Sequence, residues 1–247
     1  MLLSNRHQFL FVHIAKTGGS SVRSALAALC WRDPLQLPAF ICHRLSHFTG
    51  HRIGVKFPRH ASAVAAKEML SPAHFDSLFK FAFVRNPWDR LVSAYHHFQR
   101  EQQAILQNQR IGEFRDFARW IVNDCGSYRG SKHVFVAAVR ATQAGHLVDL
   151  QGERIVDFVG RYEQLEQDFC EICERIGAPA PSLPHKRKSD KRQDFRTYYD
   201  DQTAELVGQW YRADAASFHY CFDSQSPGVC GSNPPTATFC DREQMTC

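Results

Sequence analysis

The stretch Gln8 to Leu29, QFLFVHIAKTGGSSVRSALAAL, constrains this chain more than any other. Phe9 to Ile14 is a short apolar run with the length of a fully buried strand. Ala-Lys-Thr-Gly-Gly-Ser-Ser follows, and Val22, Ala25, Leu26 and Leu29 then recur at helical spacing. A strand, a glycine turn and a helix in that order present backbone N–H groups to an anion, typically a phosphate. Gly18 and Gly19 carry no Cβ and let the backbone come close to it. Ser20 and Ser21 fall where an N-cap is expected and can donate as well as cap. Lys16 adds a mobile point charge. The motif is not the nucleotide-triphosphate loop G-x-x-x-x-G-K-(S/T), because Lys16 precedes the glycines. Taken alone, the stretch also fits an ordinary strand–helix turn with a solvated lysine.

A second strand signal, Phe79 to Val84, runs straight into Arg85-Asn86-Pro87-Trp88-Asp89-Arg90, and Leu91, Ala94, Tyr95 and Phe98 continue it as a helical stripe. Pro87 keeps Asn86 out of the helix. Arg85 therefore stands at the carboxyl end of a strand, where open α/β sheets bind their ligands. Asp89 and Arg90 read as a charge arrangement at the helix N-terminus, Asp89 favouring the dipole.

Between these signals, Trp31 to Gly54 is irregular and rich in His, Pro and aromatics, a long loop of the kind that builds a cleft. Cys42, His43, His47 and His51 could share a helix face and hold a metal, but no carboxylate supports them, and surface histidines are the preferred reading. Ala61 to Leu70 reads as a helix, and Ser71-Pro72 opens a short one. Further along, Phe114 to Val122 is helical, Gly126 to Gly145 ambiguous, and Arg154 to Val159 a third strand. Helices Leu165 to Ile176, ended by Gly177, and Thr203 to Phe218 follow. Lys186 to Arg196 is a basic run, and Ser224 to Cys247, dominated by Pro, Gly, Ser and Asn, reads as a disordered tail.

Totals narrow the function classes. A chain of 247 residues with 44% hydrophobic content builds a substantial core. A net charge of +5 suits an anionic ligand but is too small to imply a nucleic-acid partner. No run approaches the roughly eighteen apolar residues of a membrane-crossing helix, and Met1 to Gln8 lacks the apolar core of a signal peptide. Nine scattered cysteines show no zinc-ribbon spacing, and Cys170 and Cys173 read as packed thiols on a helix. A reducing, cytoplasmic location is the expectation.

The two strand-end sites and the late basic loop resemble the sulfotransferases that use 3′-phosphoadenosine 5′-phosphosulfate, above all the carbohydrate sulfotransferases of Golgi and bacterial type. That family's first motif, approximately F-(V/I)-H-I-P-K-(T/A)-(G/A)-(G/A)-(T/S)-S, stands here as FVHIAKTGGSS, and its second as FVRNPWDRLVSAY. Similarity continues through VDFVGRYEQLEQDF and the segment from LPHKRKSDKRQDFRTYYDD to FHYCF, so a sulfotransferase domain over residues 1–222 is expected, with 223–247 as tail. Ala15 replaces the family's proline and leaves the turn less stiff.

The resemblance implies site residues one by one. The amides of Thr17, Gly18, Gly19, Ser20 and Ser21, with the Thr17 and Ser20 hydroxyls, would cradle the 5′-phosphosulfate. Lys16 would neutralise charge on the bridging oxygen. Arg85 and Ser93 would grip the 3′-phosphate, and Lys186, Arg187 and Lys188 would fold over the nucleotide. The family's base lies about two dozen residues before the motif arginine, which points to His60, with His47, His51 and Glu68 in reserve. Arg161 and Glu163 would form a structural pair near the nucleotide. No metal is implied. The acceptor would be a hydroxyl of a glycan or glycolipid, with Trp31 to His51 and the helix from Glu113 shaping its pocket.

The expected fold is α/β: a P-loop-like, mainly parallel central sheet of about four or five strands with helices on both faces, Phe9–Ile14 beside Phe79–Val84. The rival readings are a kinase with a degenerate phosphate loop and a non-catalytic module that binds a nucleotide or an anionic glycan.

Overall fold

A computed structural model describes residues 1–31, 57–125, 128, 133–184 and 193–223. It is a mixed α/β structure on a four-stranded sheet of order β1-β2-β3-β4, comprising Leu2–Ser4, Phe9–Val12, Phe79–Val84 and Phe158–Arg161. The edge strand β1 turns back antiparallel onto β2, pairing Leu2 with Phe11. The other three strands run parallel, with Phe9 opposite Phe79 and Phe81 opposite Phe158.

Alternation along β2 and β3 sorts the core into two layers. Phe9, Phe11, Phe81 and Phe83 point to one face and pack on Val22, Ala25 and Leu26 of helix α1 (Gly19–Trp31) and on Phe169 and Ile172 of a later helix (Leu165–Arg175). Leu10, Val12, Ala82 and Val84 point to the other face. There they meet Ala63 and Ala66 of helix α2 (Ala63–Met69) and Phe75 of helix α3 (Pro72–Ser77). Phe11 and Phe81 stack at 5.3 Å between ring centroids, which pins the β2–β3 register. Ser71 caps α3 by accepting from the His74 amide, with Pro72 at its first position.

Helix α4 (Pro87–Glu101) follows β3 directly, and Asn86 caps it by accepting from the amides of Trp88 and Asp89. Its buried stripe, including Leu91, Tyr95 and Phe98, forms a second core with Phe114 and Phe117.

Three boundaries differ from expectation. The third strand starts at Phe158, not Arg154, because the preceding backbone is used elsewhere: Ile155 N–H donates to the Leu147 carbonyl, and Arg154 bridges Val148. The last helix is two, Asp201–Trp210 and Arg212–Phe218, divided at Tyr211, whose buried hydroxyl donates to the Val139 carbonyl at 2.8 Å. The helix from Phe114 keeps α geometry only to Arg119 and continues as a π turn, Trp120–Asp124.

The carboxyl ends of β2, β3 and β4 lie along one edge and lead into His13, Arg85 and Tyr162 respectively.

Candidate active site

The glycine turn is built by burial first. His13, Ile14 and Ala15 are sealed beneath the sheet end, while Lys16 is half-buried and takes a left-handed φ of 68°. A left-handed lysine costs about 1 kcal/mol over glycine, so surrounding contacts must hold it there. Gly18 is also left-handed at φ 79°, and a Cβ on it would stand 3.0 Å from the Tyr162 ring. Gly19 is required for a different reason: its Cβ would fall 2.2 Å from the His13 ring. Helix α1 begins at Gly19, so Gly18 occupies the capping position, and Ser20 and Ser21 lie inside the first turn instead of capping it. The Ser21 amide returns to the Gly18 carbonyl at 2.9 Å. Those of Gly18, Gly19 and Ser20 meet no acceptor among the described residues, leaving donors directed at the turn. The Thr17 hydroxyl gives its proton to the Ile14 carbonyl at 3.1 Å.

Two arginines of the second motif clamp the carbonyl side of this turn. Arg90 Nε donates to the Ala15 carbonyl at 3.0 Å, and Arg85 Nη1 to the Lys16 carbonyl at 3.3 Å. Arg90, expected with Asp89 in a charge arrangement at the helix N-terminus, is instead enclosed in the core. It is 2% exposed, donates also to Ala138 and Ala141, and faces Asp214 at 3.9 Å. Asp214 accepts from the amides of Gln143 and Ala144, each at 2.9 Å. Burial pushes the Asp214 carboxyl up, against the opposite pull of Arg90 and those amides.

Arg85 is fixed on several sides. Its Nε donates to Asp89 Oδ2 at 2.6 Å, and its guanidinium lies 3.8 Å over the Tyr162 ring. Its backbone exchanges two hydrogen bonds with the Gln143 amide group, at 2.9 and 2.8 Å. Ser93, half-buried, stands two turns along α4 on the Arg85–Asp89 side.

His60 precedes α2 and meets the chain at His13, where β2 leads into the turn. Its Nδ1 lies 2.9 Å from the His13 carbonyl. A carbonyl only accepts, so Nδ1 carries the proton and Nε2 keeps its lone pair. The two histidine rings meet edge to face at 4.7 Å, and Phe135 backs His60 at 6.0 Å. Burial pushes His60 down to about 4, although the hydrogen bond to His13 works the other way. Burial, followed by the neighbouring His60, takes His13 to about 2. Both are neutral at pH 7.

Arg161 and Glu163 do not pair with one another. Glu163 accepts from the Asn86 amide and from the Tyr220 hydroxyl, both at 2.9 Å, while Arg161 lies over the Tyr220 ring at 5.1 Å. They meet through Tyr220, because Glu163 is needed to tie β3's end to β4's. Glu68 is exposed on α2. The helix from Glu113 borders an open cleft of about 280 Å³, lined also by residues 197–200, with the Arg115–Asp200 pair at 3.4 Å on its rim. His47, His51, the Cys42/His43 set, Lys186, Arg187, Lys188 and the tail from Ser224 lie outside the described residues. Among the described residues, no cluster could hold a metal ion and no helix is long and apolar enough to cross a membrane. Cys125, Cys170 and Cys173 are free thiols, with Cys173 buried and Cys170 exposed. Cys221 is in a disulfide, a bond that sits poorly with the expected reducing compartment.

Sequence reasoning missed Gln143, Tyr162 and the buried role of Arg90. The signal available for Arg90 was its helical phase, four residues before Ala94 on the buried stripe of α4.

The mixed α/β fold fits the family found by comparison with known proteins. The profile of the Sulfotransferase family matches residues 1–221, and the chain belongs to that family. It is similar to carbohydrate sulfotransferase 14 of Mus musculus, 24% identical over 242 residues that cover 89% of this chain and 53% of the relative. Carbohydrate sulfotransferase 14 of Danio rerio is 26% identical over 84% of this chain and 54% of its own. Carbohydrate sulfotransferase 9 of Homo sapiens is 24% identical over 88% and 52%. The chain thus spans about half the length of these relatives. No solved structure matches it.

Proposed function

We propose that this sulfotransferase moves a sulfuryl group from 3′-phosphoadenosine 5′-phosphosulfate to a carbohydrate hydroxyl. The observation that carries the reading is the contact between Arg85 Nη1 and the Lys16 carbonyl, which unites the two strand-end motifs as one anion-binding surface. The donor's chemistry fits that surface. The amides of Gly18, Gly19 and Ser20, without an acceptor among the described residues, suit one anionic group, and the Arg85 N–H groups not engaged by Asp89 or the Lys16 carbonyl, with Ser93 one turn past Asp89 on α4, suit another. Thr17 contributes its amide, since its hydroxyl proton is engaged with Ile14.

The donor supplies an activated sulfuryl group, and sulfuryl transfer should resemble phosphoryl transfer, with a loose, in-line transition state governed by position and charge. Lys16 stabilises negative charge on the departing bridging oxygen. His60 Nε2 takes the acceptor's hydroxyl proton as the new O–S bond forms and the old one breaks. Neutrality at pH 7 readies His60 for that role. The carbohydrate acceptor is drawn from the relatives' names, which describe those proteins.

The test is transfer of labelled sulfo group from the donor to a panel of glycan acceptors, read as a mass shift of one sulfo group. Product with the wild-type chain and none with Lys16→Ala supports the reading. Absence of transfer to every hydroxyl acceptor, together with intact binding of the donor, would return it to a non-catalytic binding protein.

A further inference from the structure

Tyr162 sits where the glycine turn, β3 and β4 converge. Its ring has the Arg85 guanidinium on it at 3.8 Å, and it approaches Gly18 so closely that a Cβ there would stand 3.0 Å from its Cδ2. The residue is the first after β4, and its neighbour Glu163 binds the Asn86 amide at 2.9 Å, which locks the backbone that carries the ring to the end of β3.

The geometry of Arg85 shows what the ring can do. Five N–H bonds radiate in the guanidinium plane. Nε is taken by Asp89 and one Nη1 proton by the Lys16 carbonyl. These two bonds fix position within the plane, but they leave a rocking motion about the line joining them. A ring centred 3.8 Å from the guanidinium carbon opposes that motion and so fixes the direction of the remaining donors. The same ring rests on Gly18, so the tilt of the guanidinium is set relative to the glycine turn.

We infer that Tyr162 is a positioning residue: it orients the Arg85 fork and thereby sets selectivity for a nucleotide that carries a second phosphate in addition to its 5′ group. This rests on the reading of Arg85 as the 3′-phosphate grip. The ring face does the work, not the hydroxyl, for which no hydrogen bond occurs among the described residues. Phenylalanine should therefore substitute fully, whereas an aliphatic or amide side chain should not.

The experiment measures affinity by calorimetry for adenosine 3′,5′-bisphosphate and for adenosine 5′-monophosphate, and takes their ratio. Wild type and Tyr162→Phe should share one high ratio. Tyr162→Leu and Tyr162→Gln should lower it about tenfold, a size between those of an exposed and a desolvated cation–π contact, through weaker bisphosphate binding with monophosphate binding unchanged. Two different replacements are used so that failure of one to fold does not remove the comparison. Arg85→Ala separates the two ideas. If it abolishes the ratio while Tyr162→Leu and Tyr162→Gln keep it, the positioning role is overturned and the reading of Arg85 stands. If wild type shows no ratio, or Arg85→Ala retains it, both fall. Equal weakening of both nucleotides in the Leu and Gln variants also overturns the positioning role, since it would mark a general structural loss.

Discussion

Arg85 reaches across from the end of β3 and donates through Nη1 to the carbonyl of Lys16, 69 residues earlier in the chain. That contact turns the lysine's peptide so that its carbonyl faces the arginine, consistent with the left-handed φ of 68° at Lys16. One hydrogen bond thus links the group expected to hold one end of the donor to the group expected to meet its reacting end.

Arg85→Ala should weaken binding of adenosine 3′,5′-bisphosphate by about 10- to 100-fold, the range of a charge-assisted bidentate pair. Arg85→Lys should recover little, because a single ammonium cannot satisfy Asp89, the Lys16 carbonyl and a phosphate together. Calorimetric titration checks both, and full affinity in the lysine variant would contradict the fork geometry.

Lys16→Gly separates stability from function. Glycine accepts a φ of 68° without strain, so the variant should gain up to about 1 kcal/mol in denaturant unfolding. Sulfo transfer should fall by two to three orders of magnitude, on the order of what loss of one transition-state electrostatic contact costs. A variant that is both destabilised and active would show that the lysine's conformation and charge have been misread.

For His60 the pH dependence carries a sign. The base proposed here acts in its deprotonated form, which His60 holds above its folded pKa of about 4. The acid limb of kcat/KM, which reports the free enzyme, should therefore lie well below the ordinary histidine value near 6.5. His60→Ala should lower turnover about 10²- to 10⁴-fold with nucleotide binding unchanged. A limb at 6.5 or above would assign the base to a more exposed group.

Stability follows the same shift. Because His60 and His13 are depressed in the folded protein, the unfolded chain binds more protons between the folded values and about 6.5. Their contribution is complete above about pH 6.5 and is lost as pH falls from there, toward 4 for His60 and toward 2 for His13. The drop in denaturant midpoint from pH 7 to pH 5 should be smaller in His60→Phe than in wild type. An unchanged drop would remove His60 from the linkage.

Arg90→Met should destabilise the protein by about 3–5 kcal/mol, since it strands Asp214 as a buried charge and leaves the Ala15, Ala138 and Ala141 carbonyls without their donor. Adding Asp214→Asn should recover part of the loss. Thermal unfolding of the two variants measures this coupling, and strictly additive losses would show that the residues act independently.

What the residues alone determine is local. The apolar run before Lys16, the paired glycines, Pro87 after Asn86 and the alternation of Phe79 to Val84 specify two strands that each end in a turn and a helix, because those signals act over a few neighbouring residues. The resemblance of FVHIAKTGGSS and FVRNPWDRLVSAY to the family motifs reaches the family for the same reason. Tertiary structure decided which polar groups face each other. Arg90 reads as part of a charge arrangement at a helix N-terminus until the turn carbonyl, Asp214 and the carbonyls of Ala138 and Ala141 enclose it. Tyr162 has no local signature, since its significance is a ring placed between Gly18 and Arg85, which are far apart in the chain. Glu163 pairs with Asn86 and Tyr220 rather than Arg161 because sheet register, not sequence spacing, sets what lies within reach. Hydrogen-bond partners are chosen by proximity in three dimensions, and only packing the helices on the two faces of the sheet creates that proximity.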